Sequence, residues 1–391
     1  MKILLATESY YPNIDGGAVA QYNLMRELKK LGHEPMVVAP GKSIRNYIEE
    51  IDGYQVYRTG SITLPFYMKS RYRFSPFPFF KIRKIIKKFK PDIVHICSPY
   101  PIGGSAYLWA RKNHIPVISS IHILPENFLS PFLGSKHYKI IKERFWKYLI
   151  YFFNLADWTT VPTQSGADIY IKNGLKNNIT PISNGINTKI FNPKNDGEYL
   201  RKKFNLPKKN IVLTAGRITP EKNLEVLINA IPHVIKKVDA HFLFVGSGGD
   251  YKQSLQTLVK ELNVYDNTTF TSFLDWEDYP KIFSVADLFT LPSEFELQSI
   301  VTLEAVASGL PVVVVNKGAL PELANSGNGF VFEPKNSIEM AEKITTLLSD
   351  NKLKEQMSKN SLELVKKHTL ESVAMEYEKA YENAITAYQN K

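Results

Sequence analysis

The stretch Ile211-Val-Leu-Thr-Ala215-Gly216-Arg217-Ile-Thr-Pro-Glu-Lys222-Asn223 decides how this chain is built. Its first five positions read as a buried strand. Gly216 lets the backbone turn, and an apolar helical pattern begins after Asn223. A strand that feeds a short basic loop ahead of a helix is half of a βαβ unit. The same rhythm continues at His241–Val245, Thr268–Ser272, Leu288–Leu291 and Pro311–Val315. Upstream it runs through Lys2–Ala6, a glycine-containing loop, a helix bearing Leu24, Leu28 and Leu31, and strand Met36–Ala39. It recurs at Ile93–Ile96, Pro116–Ser119 and Asp157–Val161. Strands alternating with helices predict an α/β protein with parallel sheets and right-handed crossovers.

Around Asn192–Leu206 the sequence turns polar, with Pro193 and Pro207 at its ends, and reads as a linker. Two α/β domains are therefore expected, residues 1–191 and 192–370. A length of 391 residues suits two or three domains at roughly 150 residues each. A ligand is expected between the domains, at the carboxyl ends of their strands.

Composition narrows the class. Apolar residues make up 44% and aromatic residues 12%, which excludes global disorder. No run approaches the roughly 18 apolar residues of a membrane-spanning helix, and Ile3–Ala6 is too short for a signal-peptide core. Cys97 is the only cysteine, which excludes an intrachain disulfide and a cysteine-based metal cluster. A soluble or peripheral cytosolic protein is expected. The net charge of +11 is unevenly placed. Residues 1–191 hold 26 basic and 12 acidic side chains (+14), and residues 192–391 hold 23 and 26 (−3). The excess points to an anionic partner for the first half.

Two segments of the second half carry chemistry. Arg217 offers a planar fork and Lys222 a point charge near a helix start, the outline of a phosphate site. The same loop, taken alone, reads equally well as a solvated turn. Further on, Pro292-Ser-Glu294-Phe-Glu296-Leu-Gln-Ser299 leads into a helix over roughly 299–308 that contains Glu304. Glu296 and Glu304 suit sugar or ribose hydroxyls as acceptors, and the helix start offers backbone N–H groups. Two acids eight positions apart also occur as plain surface residues.

Together these segments resemble the retaining glycosyltransferases of family four. The match rests on Gly216-Arg217…Glu221-Lys222-Asn223 and on Glu296…Glu304 before Ala305-x-Ala307-x-Gly309-Leu-Pro311-Val312. It extends to Gly16-Gly17, Gly32-His33-Glu34, Pro91-Asp92-Ile93-Val94-His95 and Asn184-Gly185-Ile186. The resemblance implies a GT-B fold, two Rossmann-like domains with parallel sheets facing across a cleft, with helix 371–391 returning to the first. It implies that Arg217 and Lys222 clamp a donor diphosphate, Glu304 holds the ribose, and Glu296 contacts the sugar. It puts Leu274 near the base, the amides of Ser299, Ile300 and Val301 near phosphate and sugar, and Gly16 and Gly17 against the diphosphate. His122 would approach sugar and acceptor. The nucleotide-sugar, expected to be UDP-glucose, is a substrate, and no cofactor is implied. The sequence contains no Asp-x-Asp motif, so transfer without a metal is expected.

Glu296-Leu-Gln-Ser299 replaces the common Glu-Gly-Phe-Gly and is closer to lipid-modifying members; Asn187 stands where an aspartate is usual. The segment Phe128–Phe153 combines Ile141, Phe145, Tyr148, Leu149 and Phe152 on one helical face with Lys139, Lys142, Arg144 and Lys147, after Phe128, Leu129, Phe132 and Leu133. That pattern fits an interfacial helix and equally a core helix. Lys81–Lys90 reads instead as an outer helix with its basic side in water. The resemblance to diacylglycerol glucosyltransferases and phosphatidylinositol mannosyltransferases implies a hexosyltransferase with a lipid acceptor such as diacylglycerol, peripheral on the inner face of the cell membrane. A soluble or polyprenyl-linked glycan acceptor, a nucleotide-sugar epimerase and a non-catalytic nucleotide-sugar binder are the alternatives. No motif for reading nucleic-acid bases is present.

Overall fold

The computed structural model describes residues 1–13, 15–63, 73–129 and 137–391. The chain divides into two compact units, Met1–Gly185 with Leu370–Lys391, and Ile186–Thr369. The division falls at Gly185, a few residues before the 191/192 boundary expected from sequence.

The first unit is built on β1 (Lys2–Ala6), β2 (Glu34–Pro40), β3 (Tyr47–Ile51), β4 (Tyr54–Thr59), the short ribbon β5 (Ile62–Thr63) and β6 (Arg73–Phe74), then β7 (Ile93–Ile96), β8 (Val117–Ser120), β9 (Trp158–Val161) and β10 (Ile179–Pro181). Its helices are α1 (Gly16–Lys30), α2 (Phe79–Phe89), α3 (Pro101–Lys112), α4 (Pro125–Phe128), α5 (Tyr138–Phe153) and α6 (Gln164–Lys172). The eight-stranded sheet has the order β10-β9-β8-β7-β1-β2-β4-β3. It is parallel except at one edge, where β3 runs antiparallel to β4, so the sheet is not wholly parallel as the sequence suggested. The cause is the Asp52-Gly53 turn, with φ of 47° and 78°, the geometry of a tight hairpin.

The second unit contains α7 (Glu198–Lys203), β11 (Asn210–Ala215), α8 (Leu224–Ile235), β12 (Ala240–Val245), α9 (Asp250–Glu261), β13 (Thr268–Thr271), β14 (Leu288–Leu291), α10 (Ile300–Ala307), β15 (Val312–Val315), β16 (Gly329–Phe332), α11 (Ser337–Ser349) and α12 (Asn351–Val365). Its six strands are all parallel, in the order β13-β12-β11-β14-β15-β16. Central strands such as Leu288–Leu291 and Val312–Val315 are buried on both faces, as continuous apolar runs require. The segment expected to be a linker is instead part of this unit. Leu200 of α7 is fully buried in its core, and Arg201 donates to the Val285 carbonyl.

The last helix, α13 (Leu370–Gln389), places Val373, Tyr377, Ala380, Tyr381 and Ala384 in the core of the first unit. Several motif residues are scaffolding here. Asp92 accepts the Lys2 N–H at 2.6 Å, His33 meets Glu378 at 3.0 Å, and buried His95 lies 2.6 Å from Ser120 Oγ and 3.0 Å from Tyr381 Oη.

Candidate active site

In each sheet the strand order reverses at one point, and there the loops leaving the carboxyl ends diverge and open a crevice. In the second unit this point lies between β11 and β14. The loop after β11 carries Gly216 and Arg217, and the loop after β14 carries Glu294 and Glu296. The topology therefore brings the two segments singled out in the sequence side by side.

Gly216 has φ of 123°, a conformation that favours glycine. Its neighbour Gly246 lies so close that a Cβ there would sit 1.8 Å from the Gly216 carbonyl oxygen. This packing fixes the turn. Lys222 follows in a short 3-10 turn, and its Nζ lies 2.5 Å from Glu296 Oε1. The two side chains are only 17% and 11% exposed. The Glu296 carbonyl accepts the Ala319 N–H at 3.2 Å, which holds the loop in place. Arg217 is 75% exposed and stands at the mouth of a pocket lined by Gly216, Ile218, Lys222 and Phe244. Its guanidinium is 3.7 Å from Glu221. Lys222 is thus held by a short ion pair, whereas Arg217 is mostly exposed and pairs only loosely with Glu221.

Ser299 caps α10. It is buried, and its Oγ accepts the Thr302 N–H at 3.3 Å. Ile300 and Val301, half-buried, open the helix, where backbone N–H groups lack helical partners. Glu304, one turn further, is 7% exposed and accepts from Tyr279 Oη at 2.6 Å. Burial pushes its carboxyl up to about 8, and the tyrosine bond opposes that only in part. Leu274 is buried directly after β13, between exposed Phe273 and Trp276.

In the first unit a separate pocket is lined by Gln21, His95, His122, Asn184 and Tyr377. Desolvation pulls His122 down to about 4, with the Asp15 charge opposing, so the imidazole is neutral at pH 7. Gly16 and Gly17 are not a loop, as the sequence suggested. They form the first turn of α1, whose N-cap Asp15 accepts the Ala18 N–H at 3.0 Å. A Cβ at Gly17 would meet His122 Cβ at 3.7 Å and Gln21 Nε2 at 3.8 Å, so the helix start borders the histidine.

On α5 the residues buried are Leu149, Phe152 and Phe153, not the whole expected face. Ile141 and Tyr148 are exposed, as are Ile140 and Tyr151. The helix is apolar on so many sides that spacing did not select the packed one; Trp146 lies edge-on 5.0 Å from Tyr170 on the covered side. Lys139, Arg144 and Lys147 are exposed beside this apolar surface, Phe145 is half-buried, and Lys142 lies 3.5 Å from Glu126. Phe132 and Leu133 lie outside the described residues, as does the Phe128 side chain. Among the described residues no helix is long and apolar enough to cross a membrane, and no group of three or more His, Cys, Asp or Glu side chains is placed to hold a metal ion.

Sequence reasoning missed Tyr279 and Gln21, and it assigned no role to Glu221 or to the Asn223–Glu294 hydrogen bond of 3.0 Å. Only Glu221 left a readable signal, its i,i+4 spacing from Arg217 in the loop.

The family model for group 1 glycosyl transferases matches residues 196–364, and that for Glycosyltransferase Family 4 matches residues 14–190. The chain belongs to the family-four glycosyltransferases. This glycosyltransferase is 28% identical over 354 residues to sulfoquinovosyl transferase SQD2 of Arabidopsis thaliana, a match over 88% of the chain and 66% of that protein. It is 27% identical to a GDP-mannose-dependent alpha-mannosyltransferase of Corynebacterium glutamicum, over 100% of the chain and 90% of the relative. It is 28% identical to the alpha-monoglucosyldiacylglycerol synthase of Streptococcus pneumoniae, over 80% of the chain and 70% of that enzyme. Among solved structures, sucrose-phosphate synthase from Thermosynechococcus elongatus superimposes with a TM-score of 0.76 at 20% identity, over 99% of this chain and 100% of that one. The glycosyltransferase has the GT-B fold.

Proposed function

We propose that this glycosyltransferase is a retaining hexosyltransferase that moves glucose from UDP-glucose to a membrane lipid alcohol such as diacylglycerol. The observation that carries the donor half of the reading is the immobilised Lys222 cation at the carboxyl end of β11, with exposed Arg217 beside it. In the transfer, the bond between the sugar C1 and the β-phosphate oxygen breaks, and its electron pair leaves with the diphosphate. A bond forms between C1 and the acceptor oxygen, and the hydroxyl proton passes to the departing diphosphate oxygen. The departing diphosphate gains negative charge, and preorganised cations stabilise that charge most in the transition state. Lys222, Arg217 and the α10 amides of Ser299, Ile300 and Val301 take this role without a metal. Glu304 accepts from the ribose, Leu274 lies by the base, and Glu296 accepts from sugar hydroxyls. Gly16 and Gly17, which open α1, keep the diphosphate role that the family resemblance implies, and neutral His122 orients a hydroxyl.

The lipid acceptor is supported by the basic and apolar surface of α5, by the +14 balance of residues 1–191, and by the name of one relative, an alpha-monoglucosyldiacylglycerol synthase. An anionic membrane face attracts such a surface. The mannosyltransferase relative, matched over the whole chain, favours GDP-mannose as a second donor reading.

The test is purified protein with labelled nucleotide-sugars and lipid extract, with and without a chelator. Label is expected in the organic phase, unchanged by chelation, and lost in Arg217→Ala and Lys222→Ala. Undiminished transfer by the double variant overturns the site. Label confined to the aqueous phase overturns the lipid acceptor.

A further inference from the structure

Glu304 sits in a setting the sequence motif did not describe. Its carboxylate is almost fully buried, and one oxygen, Oε2, is held by Tyr279 Oη at 2.6 Å. Tyr279 opens the 3-10 turn Tyr279–Val285, and its own N–H is donated to the Asp275 carbonyl at 2.9 Å. The ring is clamped on three sides. It stands edge-on to Phe191 (6.1 Å, 83°) and to Phe283 (5.7 Å, 81°), and stacks on Trp276 (6.1 Å, 24°). Phe191 and Phe283 are themselves buried, so the hydroxyl cannot wander.

We infer that Tyr279 is a positioning residue for nucleotide binding, fixing the Glu304 carboxylate so that Oε1 is presented to the ribose hydroxyls of the donor. The inference rests on the reading of Glu304 as the ribose acceptor and goes beyond it by naming what aims that acceptor. A glutamate side chain has three rotatable bonds, and one rigid donor on Oε2 removes most of that freedom before the ligand arrives. Preorganisation of this kind is gained as affinity, because the ordering is done before binding. The same bond partly offsets the burial that raises this carboxyl, and either protonation form keeps a lone pair on Oε1 for a ribose hydroxyl. The aromatic cluster therefore acts on the ribose only through Glu304.

The experiment is calorimetric titration of wild type, Tyr279→Phe and Glu304→Ala. The probes are UDP, GDP and ADP, the 2′,3′-dideoxy form of whichever binds tightest, and inorganic pyrophosphate. Tyr279→Phe keeps the ring and its packing, and a thermal melt checks the fold. It is expected to weaken the ribonucleotide by roughly tenfold, the size of one hydrogen bond to a charged group. Dideoxynucleotide and pyrophosphate affinities stay at wild-type values. Restoration of ribonucleotide affinity by Tyr279→His, an alternative ring donor, supports positioning further. If Glu304→Ala weakens the ribonucleotide and Tyr279→Phe does not, the positioning role is overturned and the ribose assignment stands. If neither variant changes it, the ribose assignment falls and the inference with it. Equal losses for ribo- and dideoxynucleotide in Tyr279→Phe overturn positioning in favour of a general packing role.

Discussion

Lys222 and Glu296 neutralise one another at 2.5 Å, so a donor phosphate must compete with a carboxylate for the same ammonium group. This competition gives a prediction of opposite signs. Glu296→Gln is expected to tighten binding of a plain nucleoside diphosphate several-fold in titration, because Lys222 is released. Transfer by the same variant falls, because the sugar loses its acceptor. Lys222→Ala is expected to lose about 100- to 1000-fold in kcat, the usual size of a lost oxyanion donor, measured by initial rates. It also leaves Glu296 as a buried charge without its partner, so the melt drops as well. Glu304 makes a separate, pH-dependent prediction. Its carboxyl titrates at about 8 in the folded protein against an ordinary value of 4.5, so the native protein holds a proton that the unfolded chain releases between those values. Stability is then fully present below pH 4.5 and declines towards pH 8, by about 1.4 kcal/mol per unit. Thermal melts of Glu304→Gln across roughly pH 5 to 8 are expected to show a flatter decline than wild type.

Helix α5 presents Lys139, Arg144 and Lys147 beside exposed Ile140, Ile141 and Tyr151, a mixture suited to an anionic interface. Each basic residue near such a leaflet contributes about 1 kcal/mol, so replacing these three by alanine is expected to weaken vesicle binding by roughly 100-fold. Sedimentation with vesicles rich in anionic lipid measures this, and the loss shrinks as salt is raised. Activity on a detergent-dispersed acceptor stays near wild type. The same helix shows where sequence stops being informative. In α2, Ile82, Ile85 and Ile86 stand at helical spacing among lysines and face inward, in keeping with an outer helix whose basic side meets water. In α5, apolar and aromatic residues spread over several faces, and tertiary partners such as Tyr170, packed against Trp146 and Phe153, mark the covered one. Helix α7 was legible as polar text, yet its single leucine, Leu200, ties it into the second core. The Asp52-Gly53 hairpin had a readable turn signal that strand-helix alternation obscured. The site divides in the same way. Arg217, Lys222, Glu296 and Glu304 stand in local motifs. Tyr279 reaches Glu304 only because the fold brings a turn from outside the motif against α10, and no spacing encodes that.

The two units have separate hydrophobic cores, but the chain is not cut cleanly between them, because α13 follows the second unit in sequence and belongs to the first. Val373, Tyr377, Ala380, Tyr381 and Ala384 fill that core, each 5% exposed or less. Burying a large apolar side chain is worth about 1.5–3 kcal/mol, so Val373, Tyr377 and Tyr381 together contribute several kcal/mol. Tyr381 also lies 3.0 Å from His95 Nδ1, and Tyr377 3.2 Å from Ser120 Oγ, so removing α13 leaves fully buried polar groups on β7 and β8 without these partners. The total approaches the net stability of about 5–15 kcal/mol that a domain has to lose. A chain ending at Thr369 is therefore expected to keep its second unit and lose its first. In calorimetry it should show the melting transition of the isolated fragment 186–369 and lack the second transition of the full chain. The truncated chain and the fragment are expected to bind a nucleoside diphosphate alike, since Lys222, Glu304 and Tyr279 all lie within 186–369, while glycosyl transfer is abolished. Retention of both transitions would show that the strands of the first unit hold together without their terminal helix.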